Sequence, residues 1–401
     1  MAQTPLFHPF LPEALKNPYP FYDRLREEDP LHWSALECWM VFRHEDILTF
    51  LRHDRFSLEP SVSEVDEDAM PFEAACNRWY RLMDPVNPGY FRQRLTELLS
   101  REALQRHCGA WRDEAERLTA ALPEWGISDL IARFVKPLVL GIVADLLGVP
   151  ENARFRFRSI LTELNGRLFE LAGMGGRISS KNIIFGDLLR MYLELVAGKQ
   201  FRGHAHEDAL TALLASPENG DPVAEEDLVD MLVFLLHTLT ENTAHGLGNA
   251  FVALLRHPNE LARLEADPAG IPDAFEECLR FDCPIQFYPI TAREDVMLHE
   301  KTIHRGQSVW LSLGAAHRDK LMLPDANRFR LDRETGVPDL ALNLVPVIDA
   351  TLMRFVAHTV LPVIVPRLCR ANLMEDGITW QTASSLSRGP RTLPVRWSEN
   401  P

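Results

Sequence analysis

The chain has 401 residues, 46% hydrophobic and 25% charged, the balance of a globular protein rather than a disordered or fibrous one. Its net charge of −15 argues against non-specific nucleic-acid binding, which needs a basic face. The same charge favours solubility and suits a basic protein partner.

No apolar run reaches the length of a membrane-spanning helix, so none is expected. The opening residues, M-A-Q-T-P-L-F-H-P-F, have neither a basic nor an apolar block, so no signal peptide is expected. Cys38, Cys76, Cys108, Cys278, Cys283 and Cys369 are scattered without a CxxC pair. A metal site is therefore not expected, and reduced thiols in a cytoplasm are. No Pro/Gly/Ser-rich linker divides the chain, which favours one domain over 1–401.

In chain order, Trp39–Phe42 alternates as a strand does. Helical periodicity covers 90–121, 126–148, 153–172 and 182–197. Residues 225–256 form a long apolar segment, which as a helix would span roughly 45 Å at 1.5 Å per residue and belong in a core. Residues 258–281 predict two helices joined near Pro268–Pro272. Val296–Ile303, Ser308–Leu313 and Thr392–Trp397 predict strands. Mostly helix with small sheets near both ends is a mainly α (α+β) reading.

Several motifs in this order carry a family resemblance. N-P-Y-P-F-Y-D-R-L-R-E-E-D-P-L-H occupies 17–32, E-C-L-R occupies 277–280, and Arg328 sits in P-D-A-N-R-F. The stretch R-E-D-V…G-Q-S-V-W-L-S-L-G-A-A-H-R-D covers 293–319, and R-G-P-R-T-L-P-V-R-W covers 388–397. Nearly the whole chain resembles a bacterial cytochrome P450, a haem-thiolate monooxygenase. The resemblance implies the fold of that family, with a buried cluster of Glu277, Arg280 and Arg328 that holds the structure together.

The departures gather around the haem of that family. Val347 stands where relatives carry the cysteine whose thiolate ligates iron, in a loop without the family's glycines. Pro88 and Ile290 stand where two propionate anchors are expected, although Arg92 is kept. Leu239 replaces a glycine of the oxygen groove in T-L-T-E-N at 238–242, and Asn242 replaces a threonine. Buried propionates without partners are costly. The expectation is therefore a haem-free member of the family with no cofactor and no monooxygenase activity.

Three functions stay open. The first is an auxiliary protein of bacterial natural-product biosynthesis, binding a protein partner from its pathway such as a glycosyltransferase. The second is an enzyme that reuses the old substrate pocket, and a small-molecule ligand there suits this reading. His237, Glu241 and His245, at i, i+4 and i+8 on one helix face, would then be its acid and base; the alternative is a polar packing stripe. The third is an oxidoreductase with an unusual haem ligand. Cys278 is expected in the core, His8, His32, His299, His304 and His317 in solvent, and the acidic run at 63–68 in a solvated loop.

Overall fold

In the computed structural model, which describes residues 7–52, 56–57, 96–172, 225–333, 348–381 and 386–398, the chain enters through α1 (Pro12–Lys16) and α2 (Tyr19–Glu28). Both start at prolines, whose fixed φ suits a first helical turn. Strands β1 (Leu31–Trp33) and β2 (Trp39–Val41) form an antiparallel hairpin, followed by α3 (His44–Arg52) and β3 (Phe56–Ser57).

The helix expected over 90–121 is divided within its described part. Ser100 caps α4 (Arg101–Gln105), its Oγ accepting from the Ala103 N–H at 3.3 Å, and α5 (Cys108–Ala120) follows after a bend. Side-chain competition for backbone donors makes serine a starter of helices rather than an interior residue.

The helix expected from residue 126 begins instead as a strand. Gly126 has φ +92°, a backbone that favours glycine. From it runs β4 (Gly126–Asp129), paired with the C-terminal strand. That tertiary pairing overrides the local helical period. A π-helical turn (Ile131–Val135) then leads into α6 (Lys136–Leu146).

Next come α7 (Glu151–Ala172) and α8, an unbroken helix from Glu225 to Arg256. The helix expected over 182–197 lies outside the described residues. The 258–281 stretch is α9 (Pro258–Ala266) and α10 (Ile271–Phe281), separated by a short 3-10 turn at Pro268–Gly270. Asp267 caps that turn by accepting from the Ala269 N–H.

Strands β5 (Phe287–Ala292), β6 (Val296–Leu298), β7 (Lys301–Ile303) and β8 (Ser308–Ser312) follow, then the single turn α11 (Leu313–Ala316). The expected single strand over Val296–Ile303 is thus a hairpin of β6 and β7, with His299 and Glu300 at φ 50° and 60° in its turn. Helix α12 (Ile348–Leu368), β9 (Ala371–Leu373), β10 (Thr379–Trp380), β11 (Pro390–Thr392) and β12 (Pro394–Trp397) complete the chain.

The main sheet has the order β1-β2-β8-β5-β3, with β2 and β8 parallel and its other neighbours antiparallel. A second sheet runs β4-β12-β9. The core lies between α8, α12, α5 and α6. There Leu247, Phe251, Leu352 and Val356 are all fully buried. Helices α8 and α12 pack closely at Gly246, where a Cβ would lie 2.7 Å from the Met353 Sδ. Helix α12 contains one stretch, Ala350–Leu368, long and apolar enough to cross a membrane by length and composition, contrary to the reading of the sequence. More than half of it is buried against the other helices.

The two ends of the chain are clasped together by buried charge. Arg388 donates to the Leu15 and Lys16 carbonyls at 2.7 and 3.0 Å, and its Nε donates to Asp282 Oδ1 at 2.9 Å. The Tyr19 hydroxyl donates to the same oxygen at 2.8 Å. The Arg318 guanidinium is sandwiched between the rings of Tyr19 and Phe281, 3.4 and 3.8 Å from their centroids.

Two histidines expected in solvent are buried. His32 accepts the Phe7 N–H on Nε2 and faces Asp29 through Nδ1 at 2.9 Å. Its neutral Nδ1–H tautomer satisfies both contacts. His317 is fully enclosed next to α10, because its backbone carbonyl receives Arg280.

Candidate functional site

The candidate site lies on α8, whose length carries residues from one side of the core to the other. Leu239 on this helix is fully buried in the main apolar core. Thr240 turns its hydroxyl back to the Leu236 carbonyl at 2.6 Å, a local bond that leaves the helix intact. Thr243 is also fully buried, and its hydroxyl has no hydrogen-bond partner among the described residues. Asn242 is half-buried.

Of the three residues expected to share a face, two are described as side chains, and they meet. His245 Nε2 lies 3.6 Å from Glu241 Oε2, one helical turn away. The imidazole is buried and the carboxylate mostly so. A carboxylate and an imidazole at this separation form an ion pair when the ring is protonated and can exchange a proton across a short gap. The His237 side chain lies outside the described residues.

Beneath α8, the expected ion cluster is present with one change of member. Arg280 grips Glu277 with two donors, Nε to Oε2 at 2.6 Å and Nη2 to Oε1 at 2.8 Å. The same guanidinium reaches the His317 and Ala326 carbonyls. Both residues are buried, so this is a bidentate pair in low dielectric, strong only while every donor is met. The third arginine is Arg333, not Arg328. Arg333 Nε donates to Glu277 Oε1 at 3.0 Å, whereas Arg328 points its side chain outward and supplies only its backbone carbonyl. The sequence R-F-R-L-D-R offers three arginines in six residues, and nothing in the pattern ranks them.

The other expected positions divide in two. Val347, Pro88, Arg92, the loop before α12 and the acidic run at 63–68 lie outside the described residues. Ile290 is described and sits buried in β5 opposite Val309. Among the described residues no group of three or more His, Cys, Asp and Glu side chains could hold a metal ion.

No family model matches the chain. Curated relatives do. A cytochrome P450 107B1 of Saccharopolyspora erythraea is 30% identical over 395 residues, 94% of each chain. The vitamin D(3) 25-hydroxylase of Pseudonocardia autotrophica is 31% identical over 333 residues, 80% of this chain and 78% of its own. The chain belongs to the cytochrome P450 family.

The fold agrees. A crystal structure of P450BioI in complex with an acyl carrier protein superposes with a TM-score of 0.85 at 24% identity, covering 96% of this chain and 99% of its own. The cytochrome P450 PksS of the Bacillus subtilis bacillaene polyketide synthase superposes at 0.82 and 22% identity, covering 98% of this chain and all of its own.

Membership corrects one expectation. The sequence was expected to mark a protein with no haem, but its relatives and structural neighbours are cytochromes P450, a haem-binding family. The donor set of this chain is a separate matter. Burial pushes the Cys38 thiol up to about 11. Burial, reinforced by Glu265, pushes Cys369 up to about 12. Cys278 is raised by burial and then by Glu277. Cys108 and Cys283 give their thiol protons to the Leu104 and Ile285 carbonyls. An iron-ligating thiolate needs the opposite setting, a depressed pKa. The described cysteines therefore do not fit the thiolate ligand that holds haem in this family.

Proposed function

We propose that this chain is an auxiliary member of the cytochrome P450 family, working through a protein partner of a bacterial natural-product pathway rather than as a monooxygenase. The observation that carries the reading is Leu239, a fully buried side chain at the position where the family keeps a glycine beside bound oxygen. Val347 at the position of the ligating cysteine supports it, since valine cannot bind iron. The intact Glu277–Arg280–Arg333 cluster supports retention of the fold as a scaffold. One structural neighbour is described in complex with an acyl carrier protein, which supports a protein partner for this fold. The reading sets the protein in the cytoplasm with its pathway enzymes, the glycosyltransferases among them.

The test has two arms. After haem supplementation, reduction and carbon monoxide, the protein gives no thiolate-type shift of its Soret band. Added to the glycosyltransferase encoded beside it, the protein raises sugar transfer. A thiolate-type carbon monoxide complex with substrate hydroxylation overturns the reading.

A second reading is favoured by one specific contact, the 3.6 Å approach of His245 to Glu241. Here the pocket is reused for acid–base chemistry such as cyclisation, isomerisation or hydrolysis. Glu241→Gln abolishes turnover under this reading and leaves the stimulation of a partner unchanged under the first.

A further inference from the structure

The segment Arg388–Gly389–Pro390 locks onto the face of α8 that carries His245. The fit is reciprocal. A Cβ at Gly389 would lie 2.1 Å from His245 Cδ2, 2.4 Å from its Cγ and 2.7 Å from its Cβ. A Cβ at Gly248, three residues along the helix, would lie 2.8 Å from Pro390 Cγ. The strand thus leaves out a side chain where the helix has its imidazole, and the helix leaves one out where the strand has its proline. Two hydrogen bonds secure the join. Asn249 Nδ2 donates to the Arg388 carbonyl at 3.0 Å, and the Gln381 N–H donates to the Gly389 carbonyl at 3.0 Å.

Gly389 is not among the glycines with positive φ. What it supplies is room for close approach rather than an unusual backbone. The predicted clash reaches the His245 Cβ as well as its ring. Turning χ1 therefore cannot relieve it, and the strand or the helix would have to move.

We propose that Gly389 is a positioning residue for the Glu241–His245 pair: the backbone of the C-terminal strand bears on the imidazole and holds its Nε2 toward the carboxylate. The inference deepens the acid–base reading and rests on it for purpose. The geometry sets how strongly the two groups couple, because Coulomb coupling between them falls as their separation grows. Without the strand, the ring is free to take another rotamer away from Glu241.

The experiment follows the His245 imidazole by NMR in full-length protein labelled with 15N-histidine, the signal assigned by its loss in His245→Gln. Glu241→Gln lowers the His245 titration midpoint by about 1 pH unit, since it removes an adjacent opposite charge. Gly389→Ala moves the midpoint in the same direction by a comparable amount. Gly248→Ala, which pushes Pro390 off the helix, does so too and serves if Gly389→Ala does not fold. Gly246→Ala crowds Met353 instead and leaves the midpoint in place, which separates positioning from loss of stability. The proposal is overturned if Glu241→Gln has no effect, if Gly389→Ala and Gly248→Ala both titrate as the parent does, or if Gly246→Ala shifts the midpoint equally. Turnover of Glu241→Gln judges the acid–base reading separately, so that reading can fail while the positioning stands.

Discussion

Arg333 and Glu277 meet at 3.0 Å across 56 residues of sequence, in a pocket where the carboxylate is almost wholly enclosed. Glu277 therefore faces two guanidinium groups, and each of its oxygens is taken. Removing a partner strands part of a buried charge.

Arg333→Ala is expected to cost about 3–5 kcal/mol, the range for breaking a buried ion pair. Arg328→Ala, whose side chain is exposed, is expected to stay within about 0.5 kcal/mol of the parent. Urea unfolding of both variants measures this. Equal losses would return Arg328 to the cluster.

Leu239→Ala is expected to destabilise the chain by about 2–5 kcal/mol, because a fully enclosed leucine leaves a cavity behind. A loss below 1 kcal/mol, read from the same unfolding curves, would mean that the site collapses or was never tightly filled, and would weaken the argument from a blocked groove.

Stability is expected to fall in acid through His317. Burial pushes this imidazole down from 6.5 to about 3, with the charges of Arg280 and His44 adding to the effect. The unfolded chain takes up the proton at the ordinary value and the folded chain does not. The contribution is therefore complete above pH 6.5 and is lost progressively as pH falls from there toward 3. His44 and His358, also lowered chiefly by burial, act in the same direction. His317→Gln should flatten the acid limb of a stability–pH curve. Parallel curves for variant and parent would exclude His317 as a source of the slope.

Arg388→Ala removes an ion pair with Asp282 and two carbonyl contacts to α1 together, and about 3–5 kcal/mol is expected. Tyr19→Phe removes a single bond to the same carboxylate, worth about 1.5–3 kcal/mol. Hydrogen exchange at α1 should rise in Arg388→Ala and change little in Tyr19→Phe.

Legibility in the sequence followed the range of each interaction. Helix α8 was plain because its apolar run is long enough to have no other stable home. Glu277 and Arg280 were paired in advance because three residues on a helix make them neighbours. Arg333 was not, because the irregular backbone after β8 brings it back to Glu277 and no periodicity governs that return. The β4 strand was taken for a helix for the same reason: its partner, β12, is over 260 residues away. Glu241 and His245 were expected on one face, but the glycine that bears on them, Gly389, sat in a motif that signalled family rather than contact. The expectation of no haem came from single positions such as Val347 and Ile290. Similarity along the whole chain outweighed it.

The clasp made by Arg388 sets an order of events during synthesis. Its guanidinium is needed by the carbonyls of Leu15 and Lys16, 373 and 372 residues earlier. At ribosomal rates of 5–20 residues per second, the first helix waits roughly 20–75 s for that partner. Throughout this time its aromatic neighbours, Tyr19 and Tyr22, lack the lid that the last strands provide. A nascent chain of this kind is exposed to chaperones and proteases at its front end until its final fifteen or so residues emerge, and truncation near the C-terminus should be felt first at the N-terminus.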